Sequence, residues 1–441
     1  MRRNPEHDKE RVSASGIISG PHLSLSTTSW YLAGFETQSG ILTFSDLQFL
    51  SSTFNDVASQ TCPQWVESML EAALANSTTW PGIQLTLSSP YCGLDCTTSV
   101  QSKADRFADE PALLDDTPWR IASITKTFTA VAILKLVERG QLDLHAPAVQ
   151  YLPDWAVQLL EQSQGVINAS QITTWQLLHH TSGLGDFASD PRWMQEVLNS
   201  PQHVWTQRNL FEWSTANSTS VGYPGEVFHY SDTGYTLLGL ILEVVTETDL
   251  AAAVHRLTGL DDLGMLSTWW ELLEPQPKDS LQRAGQYYNT IDVTHYNPTF
   301  DLYAAGGLAS NSKDLNRFGR ALFEGRLLDE KVMQLMYSLE PSRFYGCGVA
   351  NYSFASQQAW GHTGFWHSCL FWVPSLDLAI SGTGNQAAGN PFDIDKLVQN
   401  VIDYGCNPME VARQGLDSHG GEKVAIDLMR STMHVSQLIM D

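Results

Sequence analysis

Three short stretches carry side chains able to make and break a covalent bond. The first is Ser123-Ile-Thr-Lys126. A serine hydroxyl attacks carbon only when a neighbour takes its proton, and helix positions i and i+3 share one face. Lys126 is therefore expected beside the Ser123 hydroxyl, where apolar surroundings would lower its pKa as a base requires. A helix start at this point would add free backbone N–H groups. The same spacing recurs at Ser310-Asn-Ser-Lys313 and serves as an internal control. There the serine precedes the amphipathic stretch KDLNRFGRALF and reads as a helix cap. The helix after Ser123 is apolar on most sides and would carry Lys126 inward, and a buried lysine without a purpose is costly.

The second stretch is Tyr230-Ser231-Asp232. A phenol shuttles a proton if a neighbouring cation lowers its pKa. The plainer alternative is that Ser231 or Asp232 caps a helix beginning near Thr233, with Tyr230 packed beneath. The third is His362-Thr363-Gly364. On a strand, His362 and Gly364 fall on one face, and the glycine lets a substrate backbone approach closely. His367 raises a zinc reading, but H-x4-H on an alternating strand points the rings to opposite faces. Cys92 and Cys96, with no second close pair among Cys62, Cys347, Cys369 and Cys406, favour a local disulfide or two free thiols over a metal. No metal and no cofactor is expected.

In the order Ser-x-x-Lys, Tyr-x-Asp, His-Thr-Gly, the chain resembles the penicillin-recognising serine enzymes: class C β-lactamases, DD-peptidases, D-aminopeptidases, and their esterase and transesterase relatives. LLHHTSGL (residues 177–184), PGEVFHYSDTGYTLLG and YAAGGLASNSKDLNRFGRAL also look like family segments in the family's order, and the resemblance covers about residues 62–405. It implies an α+β fold, a five-stranded antiparallel sheet flanked by helices, with an α-helical lobe and the site between them. It makes Ser123 the nucleophile and has Lys126 and Tyr230 pass its proton to the leaving group. Asp232 stands where the family usually has asparagine, and a carboxylate beside Lys126 would make it a poorer base, leaving the transfer to Tyr230. His362, Thr363 and Gly364 would line the sheet edge. The backbone N–H groups of Ser123 and Phe365 would form the oxyanion hole. A histidine where β-lactamases carry lysine weakens the case for antibiotic hydrolysis, because that lysine holds a carboxylate. His179 and His180 read as packing or hydrogen-bonding residues.

Several elements must position these groups. QWVESMLEAAL has helical spacing, and GIQLTLSS alternates as a strand. Phe128, Val131, Leu134 and Val137 mark a helix from Ile124 to about Glu138, stopped by Gly140. Residues from about 140 to 300 read as mostly helical, and short aromatic strand-like pieces follow. This gives an N-terminal extension over residues 1–61, a catalytic domain over 62–405 and a tail over 406–441. Within the domain the α/β part covers about 62–125 and 300–405, and the helical lobe about 127–300.

Composition is that of a globular chain, with 43% hydrophobic, 10% aromatic and 17% charged residues. A net charge of -23 argues against nucleic acid or anionic lipid as partners, and no apolar run is long enough to span a membrane. The expected partner is a small-molecule acyl substrate, with oligomeric state open. MRRNPEHDKERVSASG lacks an apolar segment and makes a poor secretory signal. The sequons at Asn76, Asn168, Asn217 and Asn351 weigh little against it, so the reading leans to the cytoplasm. Three functions fit: hydrolysis of an ester, lactone or amide through an acyl-enzyme on Ser123, transfer of that acyl group to an alcohol or amine, or ligand binding by a non-catalytic relative. Phe365, Trp366, Trp360 and Tyr303, close to the motifs, would suit a bulky apolar substrate.

Overall fold

Helix α1 (Gln64–Leu74) precedes a hairpin of strands β1 (Gly82–Ser89) and β2 (Leu94–Gln101). Strand β3 (Trp119–Arg120) enters a 3-10 turn at Ala122–Ile124, and helix α2 (Thr125–Glu138) follows. Helices α3 (Asp154–Gln162), α4 (Thr174–Leu178), α5 (Pro191–Asn199), α6 (Gln207–Asn217), α7 (Asp232–Thr246) and α8 (Leu250–Thr258) come next. Short strands β4 (Trp269–Trp270), β5 (Tyr287–Tyr288), β6 (Ile291–Asp292) and β7 (Leu308–Ser310) lead to helices α9 (Ser312–Phe323) and α10 (Glu330–Met336). Strands β8 (Ala350–Phe354), β9 (Gln357–Gly364), β10 (Ser368–Val373) and β11 (Leu378–Thr383) and helix α11 (Ile394–Asn400) complete it. This computed structural model describes residues 61–406 except 76, 109, 163–167, 272, 302 and 388–393. All but the inner ends of the expected extension and tail lie outside the described residues.

The main sheet runs β2-β1-β11-β10-β9-β8, with every neighbouring pair antiparallel. The fold is the expected α+β arrangement, but this sheet has six strands rather than five. Pairing of β1 with β11, at Leu87↔Ile380, joins the two ends of the domain. Both faces are covered, so β10 is buried along its whole length. Cys369, Phe371 and Val373 share one core with residues of α1 and α11, while Leu370 and Trp372 belong to the larger core that includes α2, α7 and α9. Gly319 lets α9 approach the sheet, since a Cβ there would lie 2.7 Å from Leu370. Phe128 of α2 and Phe318 of α9 stack at 3.7 Å between ring centres, locking the helix that carries Lys126 to the helix that lies on the sheet.

Three local expectations need correction. Asn311, not Ser310, caps α9: its side chain accepts the Asp314 N–H at 2.8 Å. Ser310 is the last residue of β7, paired with Trp119, and its hydroxyl meets Thr268. Cys92 and Cys96 are neither bonded to each other nor free. Cys62 pairs with Cys96 and Cys92 with Cys406, because the two cysteines face partners before α1 and after α11 and so pin both segments to the β1–β2 hairpin. His367 is not on a strand, because β9 ends at Gly364. It lies in the following turn, its ring 4.8 Å from Trp80 and its Nδ1 bonded to the Gln386 carbonyl.

Candidate active site

Ser123 sits in the 3-10 turn one step before α2 rather than on the α-helix itself. The turn is held under strain, because Ala122 adopts a left-handed φ of 48° that an alanine adopts at a cost of about 1 kcal/mol or more. Its neighbours supply the restraint. Ile121 N–H donates to the Leu308 carbonyl of β7 at 3.0 Å, and Ser368 Oγ donates to the Ile121 carbonyl at 2.8 Å. Gly364 allows β9 to lie against this turn: a Cβ there would fall 2.4 Å from the Ile121 carbonyl and 2.2 Å from Ser368 Oγ. Ser123 is left partly exposed to a cavity, and the segment carrying Gly364 and Phe365 runs beside the one carrying Ala122 and Ser123.

Lys126, the second residue of α2, is fully buried. Its Nζ reaches Ser123 Oγ at 3.0 Å, the Ala305 carbonyl at 2.9 Å and, in an ion pair, Asp232 Oδ1. Three acceptors account for the three donors of an ammonium. The ammonium also lies 4.9 Å from the centre of the Tyr230 ring and 5.5 Å from that of Tyr235. The Tyr230 hydroxyl bonds Ser123, yet burial first and the Asp232 charge second hold the phenol well above the ordinary tyrosine pKa. The direction is opposite to the lowering expected from a neighbouring cation, because Lys126 faces the ring and is itself neutralised by Asp232. Tyr230 therefore rests as a neutral phenol.

The segment bearing Tyr230 and Asp232 is fastened by residues 180–186. His229 N–H donates to the His180 carbonyl at 2.8 Å, Ser231 N–H to His180 Nδ1 at 3.0 Å, and Ser231 Oγ to the Gly185 carbonyl at 3.1 Å. Asp232 N–H donates to Asp186 Oδ1 at 3.0 Å. Ser231 also caps α7 by accepting the Gly234 N–H. His180 Nδ1 is an acceptor, so its proton resides on Nε2, and burial first, then the Lys126 charge, keeps the ring neutral. His179 bonds the Trp175 and Ser338 carbonyls.

His362 lies on β9 with Nδ1 donating to the Thr363 carbonyl at 2.6 Å and Nε2 accepting from the Tyr345 hydroxyl at 2.9 Å. Burial first and Lys126 second push its pKa down to about 3, so this histidine presents no positive charge to a ligand. Asp186 shows the opposite perturbation. Desolvation first and the neighbouring Asp232 second raise it to about 7, against backbone N–H bonds from Asp232 and Ala188 that favour the charged form.

The cavity holds about 640 Å³, and Ser123, Tyr230, Asp232, His362, Thr363, Gly364 and Phe365 all line it. Every expected site residue thus gathers at one place, with Lys126 beneath the wall. Of the four aromatic residues expected to shape it, Phe365 alone does so. Trp366 turns inward against Phe300, Trp360 packs on Tyr337, and Tyr303 is not among the lining residues. The aromatic wall comes instead from Trp193, Phe300, Phe344, Tyr345 and Tyr352. Asp186 and Tyr345 were not singled out by sequence. A lone acid between glycines and an apolar residue, in GLGDF, was the available signal for Asp186. Nothing local marks Tyr345.

The family profile described as Beta-lactamase matches residues 100–401, more than half of the chain. Esterase EstB of Burkholderia gladioli is 33% identical over 184 residues, 38% of this chain and 43% of that protein. The putative penicillin-binding protein PbpX of Bacillus subtilis is 26% identical over 262 residues, 56% of this chain and 58% of that protein. The matches therefore span less than two thirds of either relative. Among solved structures, a D-stereospecific amidohydrolase from Streptomyces superposes with a TM-score of 0.63 at 27% identity, covering 76% of this chain and 97% of its own. D-amino acid amidase from Ochrobactrum anthropi gives 0.63 at 27%, covering 77% and 99%. With its serine turn, buried lysine and sheet-edge glycine inside the matched span, this chain belongs to the β-lactamase family.

Proposed function

We propose that the protein is a serine hydrolase that cleaves an ester, lactone or amide through an acyl-enzyme on Ser123. The observation that carries the reading is a single hydroxyl flanked by the Lys126 ammonium at 3.0 Å and the Tyr230 phenol. In the first step Ser123 Oγ bonds to the acyl carbon while its proton moves to the Tyr230 oxygen. The proton already on that oxygen passes to the leaving oxygen or nitrogen as its bond to carbon breaks. Because the phenol gives one proton as it takes another, no phenolate need form in a site that disfavours one. Lys126 donates toward Ser123 Oγ throughout, stabilising the charge that develops there. Water then attacks the acyl carbon by the same relay in reverse, and Ser123 regains its proton. The N–H groups of Ser123 and Phe365 would receive the carbonyl oxygen.

The names of the similar proteins, esterase and D-amino acid amidase among them, support esters and amides as the substrate class. The neutral His362, with no lysine or arginine among the described residues of the cavity lining, speaks against carboxylate-bearing antibiotics. A second reading, transfer to an alcohol or amine, draws support from the exposed Phe344 and Phe365 at the cavity wall, which would exclude water from the acyl-enzyme. Two disulfides favour an oxidising compartment over the cytoplasm.

The test is labelling with a fluorophosphonate followed by intact mass. One adduct on the wild type and none on Ser123→Ala supports the nucleophile, whereas equal labelling removes it. Tyr230→Phe should lower kcat on a p-nitrophenyl ester by about 100-fold or more. Product analysis with added alcohol separates the hydrolase from the transferase.

A further inference from the structure

Of the charged side chains lining the cavity, Asp232 is matched by Lys126, but Asp186 has no ion-pair partner among the described residues. Asp186 is nine-tenths buried, and its carboxylate accepts N–H bonds from Asp232, Ala188 and Ser189. A carboxylate offers about four acceptor positions, so three N–H bonds do not exhaust it, and Asp186 lines the cavity. Trp193, Met194 and Phe300 line the same cavity, and no lysine or arginine is among the described residues of its lining. An uncompensated carboxylate in an apolar wall is costly unless a cation joins it. The chain's net charge of -23 also draws cations toward the protein and repels anions.

We propose that Asp186 is a specificity residue that binds a protonated amine, so that the substrate joins a cationic amino group to an aromatic or aliphatic body. This rests on the reading of the cavity as the acylation site and names its substrate class. The competing account is that Asp186 only fastens the segment carrying Tyr230 and Asp232. The two accounts part on charge: a fastener affects all ligands alike, whereas an amine site discriminates among ligands of one shape.

The experiment is calorimetric binding to full-length Ser123→Ala at pH 8, using phenethylamine, phenethyl alcohol and phenylacetate as probes of similar size. Phenethylamine should bind about tenfold or more tighter than the alcohol, and phenylacetate weakest. In Ser123→Ala combined with Asp186→Asn, the amine should fall to the affinity of the alcohol. A second measurement needs no change at Asp186. The charged groups facing it are Asp232 and Lys126, and as the pH falls from 8 to 5.5 the carboxyl takes up a proton while the amine keeps its charge. The preference for amine over alcohol should therefore shrink. Equal binding of amine and alcohol in Ser123→Ala at pH 8, or a loss of the same size for both on Asp186→Asn, overturns the proposal. Because binding requires no acylation, failure of fluorophosphonate labelling would remove the hydrolase reading and leave this result standing.

Discussion

Replacing Gly364 by alanine tests whether the close approach of β9 to the turn carrying Ser123 sets the reactivity of that hydroxyl. The added Cβ would lie 2.4 Å from the Ile121 carbonyl and 2.2 Å from Ser368 Oγ. Ser368 can rotate away, but only by giving up its bond to Ile121, and the carbonyl is backbone. Moving that contact out to the 3.0 Å that real Cβ atoms require displaces strand against turn by at least 3.0 − 2.4 = 0.6 Å. Overpacking of this kind costs about 3 kcal/mol. Since a misplacement of about 1 Å at a reacting group lowers rates about 100-fold, kcat/KM on a p-nitrophenyl ester and the rate of fluorophosphonate labelling should fall by roughly 10-fold to 100-fold. Gly140→Ala is the control. That glycine has φ +66° and no atom within 4 Å of a new Cβ, so the change adds about 1 kcal/mol of backbone strain at the far end of α2. Its labelling rate should remain within about twofold of wild type by that argument. If Gly364→Ala melts and reacts as the wild type does, or Gly140→Ala slows labelling as much, the strand does not position Ser123.

Asp186 makes stability depend on pH. Its folded pKa of about 7 lies above the unfolded value of 3.8, so its contribution is fully present below pH 3.8 and lost as the pH rises through about 7. The loss is on the order of 4 kcal/mol at most, and melting curves between pH 4 and 8 should show a slope that Asp186→Asn reduces; an unchanged slope would refute it. Asp232→Asn leaves the buried Lys126 without its counter-charge and should cost about 3 to 5 kcal/mol in denaturant unfolding, whereas an unchanged midpoint would mean the ion pair contributes little. Reduction of Cys92–Cys406, which closes a separation of 314 residues, should lower stability by about 3 to 5 kcal/mol, read as a drop in melting temperature with reductant.

The sequence revealed most where spacing along the chain is also spacing in the fold. One helical turn separates Ser123 from Lys126, so their pairing follows from period alone, and Gly364 announces a close approach because no other residue permits one. What stayed hidden belongs to long-range packing. Strand β10 reads SCLFWV without alternation because α9 covers one face and α1 and α11 the other, so its direction was invisible. β2 and β8 were missed in LDCTTSVQ and ANYSF, segments whose mixed polarity became strands only by pairing with β1 and β9. The same reasoning explains the cysteines: the short gap between Cys92 and Cys96 suggested a local bond or two free thiols, but the partners that face them lie before α1 and after α11. Charge state proved least legible of all. The tyrosine was expected to be acidified by a nearby cation, but that effect requires an unneutralised charge at the hydroxyl, and the fold instead sets Asp232 on the cation and the cation over the ring. Under the relay proposed above, Asp232 shifts the proton chemistry from Lys126 toward Tyr230. That assignment of roles depends on one carboxylate whose position is fixed by Asp186, a residue forty-six positions away in the chain.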